Sequence, residues 1–123
     1  MEKRPIATSN APAPAGPYTQ AMLASDFVFV AGQRPANPKT GEIPSTIREQ
    51  TIQCIENMEQ ILLAAGSSLD KIVSVHVYLS DLKNFSEMNE AYLKKFSQPY
   101  PARTTIGCSL RGIEVEIECI AMK

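Results

Sequence analysis

The sequence predicts an α+β fold in which two helices cover one face of a mixed sheet, in the order β-β-α-β-α-β-β. Three patterns carry this reading. Apolar residues alternate with polar or small ones in the segments ending near Leu79 and Met122, and residues 27–31 are a short aromatic and β-branched apolar run, both marks of a strand. Apolar residues recur at three- and four-residue spacing over residues 45–65 and 84–96, the period of a helix packed on a core. Turn residues separate these blocks, as at Asn37-Pro38-Lys39-Thr40-Gly41. A length of 123 residues suits one domain spanning the chain.

Taken in order, residues 6–17 come first. Ala11-Pro12-Ala13-Pro14-Ala15-Gly16-Pro17 cannot be helix, because its prolines lack donors and restrict their neighbours. The stretch is either a disordered tail or an ordered loop leading into Tyr18. Residues 27–31 form a strong strand closed by Gly32, and residues 19–23 pair with it across Ala24-Ser25-Asp26. A glycine at position 32 marks a bulge or a close backbone approach.

The long helix spans 45–65, with Ile47, Thr51, Cys54, Ile55, Met58, Ile61, Leu62 and Ala65 on one face. Ser45 is the expected N-cap and Gly66 the stop. Residues 72–79 are a strand with Val73, Val75, Val77 and Leu79 on one face and Ile72, Ser74, His76 and Tyr78 on the other. His76, the sole histidine, has no sequence neighbour to orient it as a base, and reads as structural or interfacial. The second helix, 84–96, shows an Asn84-x-x-Glu87 capping pattern and a stripe of Phe85, Met88, Tyr92 and Phe96. Asn89 falls inside that stripe, where an amide must bind backbone or brace a site.

Pro101 opens the next strand, as proline is tolerated at a first position. Arg103 and Thr105 share one face of it, among small side chains that leave room for a ligand. A planar guanidinium suits a carboxylate or phosphate held by two parallel hydrogen bonds. The last strand, 113–122, puts Ile113, Val115, Ile117, Cys119 and Ala121 on one face. Glu114, Glu116 and Glu118 take the other, followed by Ile120 and Met122. It reads as a hairpin with the strand before it, which places Glu118 beside Arg103.

Composition narrows the function. Twelve basic and 13 acidic residues give a formal charge of −1 with no basic run, which argues against nucleic acid. No apolar run is long enough to cross a bilayer, and the first residues lack the apolar core of a secretory signal, which points to the cytoplasm. Cys54, Cys108 and Cys119 lie far apart, fit neither a disulfide framework nor a metal site, and read as free thiols.

Several motifs occur in a telling order: Asn10-Ala11-Pro12, Gly16-Pro17-Tyr18-x-Gln20, Ala31-Gly32-Gln33, Asn37-Pro38-x-Thr40-Gly41 and Ala64-Ala65-Gly66. They continue with Asp81-Leu82-x-x-Phe85-x-x-x-Asn89-x-x-Tyr92, Pro101-Ala102-Arg103-Thr104 and Val115-Glu116-Ile117-Glu118-x-Ile120-Ala121. Over nearly its whole length the chain resembles the RidA family (YjgF/YER057c/UK114), often labelled endoribonuclease L-PSP. The resemblance implies a chorismate-mutase-like fold and a homotrimer with ligand sites between subunits. It implies hydrolysis of reactive 2-imino acids, released by pyridoxal-phosphate dehydratases, to 2-keto acids and ammonia, with no cofactor in the protein itself. By position, Arg103 matches the arginine that grips the substrate carboxylate, and Glu118 the carboxylate that holds the attacking water. Tyr18 and Asn89 match pocket or supporting residues, and the backbone at Gly32 and Thr105 matches the pocket lining. The chain departs from the commoner pattern at Ala31, where many members have Ser, and at Thr105, where many have Cys. The rival readings are a non-catalytic acid-binding or chaperone-like trimer, and a ribonuclease. The second lacks a basic stripe and a histidine pair.

Overall fold

The computed structural model describes residues 2–123. It contains one six-stranded mixed sheet: β1 (Lys3–Ile6), β2 (Ala21–Ala24), β3 (Phe27–Gln33), β4 (Ile72–Leu79), β5 (Ala102–Gly107) and β6 (Val115–Met122). Two helices, α1 (Ile47–Ala64) and α2 (Phe85–Lys95), pack against each other, and α1 lies on β3 and β6. The α+β class and the two-helix layer are as the sequence patterns require.

α1 buries the face expected of it, with Cys54, Ile55, Met58, Ile61 and Leu62 fully enclosed. Against them stand Val28, Val75, Val77, Leu79, Val115 and Ile117 from the sheet, also fully enclosed. Burying one such side chain contributes about 1.5–3 kcal/mol. The cap is one residue later than expected. Thr46, not Ser45, accepts from the Glu49 amide at 3.1 Å, and its hydroxyl donates to the Glu49 carboxylate at 2.9 Å. The helix closes at Ala65, and Gly66 takes the left-handed conformation with φ 82°, which costs glycine little.

Strand order departs from the expected hairpin. The sheet runs β1-β2-β3-β6-β4-β5, so β6 is inserted between β3 and β4. β5 pairs with β4 alone, and in parallel. A crossover through α2 delivers β5 to the outer edge in the same direction as β4, leaving the other edge of β4 for β6. Arg103 is therefore not beside Glu118. Register places Arg103 opposite Val75 and Glu118 opposite His76, and Val75 and His76 point to opposite faces.

Smaller differences have local causes. β1 appears where no strand was expected; it pairs with β2 at the sheet's edge, and three of its four residues are exposed. β3 continues through Gly32 to Gln33, with its register shifted between Val30 and Gln33, so the glycine interrupts the ladder without ending the strand. A second irregularity, between Ile72 and Ser74, turns Ile72 inward and leaves Val73 exposed. α2 begins after a short turn, Leu82–Asn84, and Asn84 makes no side-chain cap. Glu87 faces Arg48 at 3.5 Å instead of closing a capping box.

The N-terminal stretch is an ordered loop. Gln20, buried to 4% exposure, gathers it. Its amide oxygen accepts from Thr8 N at 2.7 Å, and its nitrogen donates to the carbonyls of Thr8, Ala11 and Pro12 at 3.0, 3.3 and 2.9 Å. One side chain thus satisfies backbone that prolines prevent from pairing with itself.

Candidate functional site

The sequence-predicted site residues fall into two groups on opposite faces of the sheet. The first surrounds Arg103 at the outer edge, on the helix-covered face. Its guanidinium lies over the Tyr92 ring at 4.8 Å from the centroid, with the Phe85 ring at 5.7 Å. Tyr92 is itself backed by Phe96, ring centroids 4.3 Å apart. This stack follows from the helical spacing of Phe85 and Tyr92 on α2 and from Phe96, which caps its C-terminus. Among the described residues no carboxylate lies within ion-pairing distance of Arg103. The aromatic faces orient its charge without neutralising it.

Arg103 opens onto a cleft of ≈ 310 Å3 lined also by Asn89, Tyr92, Leu93, Tyr100 and Pro101. Asn89 is half-buried in its wall, so its amide is not the enclosed group the stripe position suggested. Thr105 lies two residues further along β5 on the same face. Its hydroxyl is buried with no partner, as is the Tyr92 phenol. Burial holds the Tyr92 phenol above its ordinary pKa, with Arg103 pulling the other way, so it remains a donor at neutral pH.

The second group lies on the open face. Glu118 Oε1 accepts a hydrogen bond from the Tyr78 phenol and lies 3.8 Å from His76 Nδ1. That hydrogen bond is the first cause, ahead of burial, that lifts Tyr78 to about 12. His76 lacked a partner in the sequence because its partner comes from the strand across the ladder, 42 positions on. Cross-strand register was the only signal that could have found it. Glu116 sits on the same face, opposite Tyr78. A Cβ at Gly32 would overlap the Glu116 carboxylate, so this glycine permits the close approach of β3 and a β6 side chain. Gly32 and Tyr18 line a smaller cleft of ≈ 170 Å3 with the loop that Gln20 holds. Tyr18 is 48% exposed, and its phenol oxygen accepts from Ala15 N at 3.1 Å. Asn57 steadies the far wall by donating to the Arg34 and Ala36 carbonyls at 3.0 and 2.9 Å.

Within one chain these groups do not meet. β4 and β6 separate β5 from β3, which at ordinary strand spacing is about 14 Å, and the sheet itself stands between Arg103 and Glu118. The open face also exposes Phe27, Phe29, Ile106 and Met122 at 42–47%. Such a patch marks an interaction surface more often than a solvated one. No group of three or more potential metal ligands occurs among the described residues. Among the described residues no helix is long and apolar enough to cross a membrane.

Residues 8–123 match the endoribonuclease L-PSP family. A RutC family protein of Pyrococcus horikoshii is 48% identical, covering 98% of both chains. Among solved structures, RidA from an Antarctic Psychrobacter superposes with a TM-score of 0.94 at 37% identity, covering 98% of this chain and 99% of that one. Escherichia coli TdcF with bound serine superposes with a TM-score of 0.93 at 35% identity, covering 98% of each.

Proposed function

We infer a function from one premise: this chain belongs to the endoribonuclease L-PSP family, also called the RidA or YjgF family. The protein hydrolyses reactive 2-imino acids, such as those released by pyridoxal-phosphate dehydratases, to 2-keto acids and ammonia. It acts as a homotrimer without a cofactor, and each site joins the Arg103 group of one subunit to the Glu118 group of its neighbour. The observation that carries the reading is Arg103, a cation held by aromatic rings at a cleft mouth with no carboxylate partner among the described residues. A small carboxylic acid supplies that partner.

The chemistry asks little of the protein. Arg103 grips the substrate carboxylate, with Asn89 and the backbone at Thr105 completing the cleft wall. Glu118 orients a water molecule and takes its proton as oxygen attacks the electrophilic iminium carbon. Glu118 returns the proton to the nitrogen of the tetrahedral adduct, then takes the adduct's hydroxyl proton as the carbonyl forms and the C–N bond breaks, so the nitrogen leaves as ammonia. Tyr18 and the backbone at Gly32 border the water side. A charge-assisted contact such as Arg103 to carboxylate contributes about 1.5–3 kcal/mol. A positioned base adds roughly 10²–10⁴-fold.

A second reading, acid binding without turnover, is favoured by the serine bound in TdcF. A coupled assay separates the two. A threonine dehydratase generates the imine, semicarbazide traps what is free, and keto-acid formation is followed. The wild type is expected to outcompete the trap, and Arg103→Ala to lose about 10–150-fold of that advantage. A wild type that binds 2-oxobutanoate yet leaves trapping unchanged supports the binding reading instead.

A further inference from the structure

We propose that Tyr78 is a positioning residue for the reaction, holding Glu118 by one oxygen so that the other faces the water. This rests on the deaminase reading above. The carboxylate oxygens are not equivalent. Oε1 takes the Tyr78 phenol and faces His76 Nδ1 at 3.8 Å, whereas Oε2 has no hydrogen-bond partner among the described residues. Tyr78 and His76 are carried on β4, opposite Glu116 and Glu118 in the ladder, so their backbone positions are fixed by the sheet. A carboxylate on an open strand face ordinarily samples several rotamers. One tied by a phenol anchored in the adjacent strand loses that freedom, and its second oxygen is aimed in advance.

The phenol suits this task at any physiological pH. Its proton is retained to about 12, first because of its hydrogen bond to Glu118 and then through burial, with the charges of Glu118 and Glu116 adding to the penalty. Tyr78 therefore remains a donor throughout the working range. The imidazole of His76 flanks the same oxygen.

The test uses Tyr78→Phe, which removes one oxygen and keeps the ring. Under the coupled assay its kcat is expected to fall about 10- to 100-fold, by analogy with the loss when a hydrogen bond that orients a metal ligand is removed. Its Kd for 2-oxobutanoate should stay within about twofold of wild type, because Arg103 carries that affinity. An equal loss of kcat and binding would mark Tyr78 as merely structural and overturn the proposal. So would an active wild type matched by an equally active Tyr78→Phe, with the deaminase reading left standing. A wild type with no effect on imine loss overturns both. Ultraviolet titration of the four tyrosines gives a readout independent of turnover. Glu118→Gln should lower the ionisation near pH 12 that Tyr78→Phe abolishes, and a titration unchanged by Glu118→Gln refutes the tether.

Discussion

The two faces of the sheet are built to different ends. The face under the helices is closed within one chain: Val75, Val77, Val115 and Ile117 meet Ile55, Met58 and Leu62, and none is exposed. The other face is open. It mixes Phe27, Phe29, Ile106 and Met122 with a polar cluster of Glu116, Glu118, His76 and Tyr78. The first face accounts for why the chain folds. The second carries an organised polar cluster at a solvent-exposed surface, while the Arg103 cation lies at the sheet's edge on the closed side. The contrast teaches that a folded chain and a complete site are separate achievements here, and changes to each should be separable.

The largest separable effect belongs to the open face. Glu118→Gln is expected to lower kcat roughly 10²–10⁴-fold with thermal stability little changed, as judged by coupled kinetics and a melting curve. A large loss of stability would mean the open face also holds the fold together. On the closed face the pattern should invert. Met58→Ala opens a cavity where no solvent reaches and should cost about 2–5 kcal/mol in denaturant unfolding, while activity per folded molecule is retained. Loss of activity without loss of stability would place α1 in the site.

A smaller effect tests the tie on the open face by pH. The Tyr78 phenol is raised from 10.0 to about 12 in the folded chain. Its contribution to stability is whole below pH about 10 and is lost as pH rises toward 12. In that window the unfolded chain has released a proton that the folded chain keeps, so stability falls with pH. Tyr78→Phe should flatten this alkaline decline, and an unaltered slope would mean the phenol is not held.

Local pattern carried most of the fold. The alternation from Val115 to Ala121 is the alternation of burial, and α1 buries the face its spacing marks. Missing from the sequence was whatever depends on distant partners. Nothing in residues 101–122 says that β4 intervenes between β5 and β6, because neighbouring strands are chosen by crossover direction and by which edge is free. That one choice separated Arg103 from Glu118 and gave His76 its carboxylate. β1 leaves no mark in the sequence because Lys3, Arg4 and Pro5 carry no apolar period; it is held by pairing at an edge, where exposed charges and proline are tolerated. Ser45 and Thr46 are equally good caps by type, and only the path into α1 decides whose hydroxyl reaches Glu49.

The separation of Arg103 and Glu118 leads to the most direct measurement. Chains carrying Arg103→Ala and chains carrying Glu118→Gln are each expected to be nearly inactive alone. Co-expressed with different tags and purified as mixed oligomers, each neighbouring pair can bring an intact arginine from one chain to an intact glutamate from the other. In a trimer that holds both kinds of chain, one of the three sites regains both halves, whichever chain is in the majority. Activity of about a third of wild type is the predicted result. Mixed oligomers no more active than their parents would contradict a site shared between subunits.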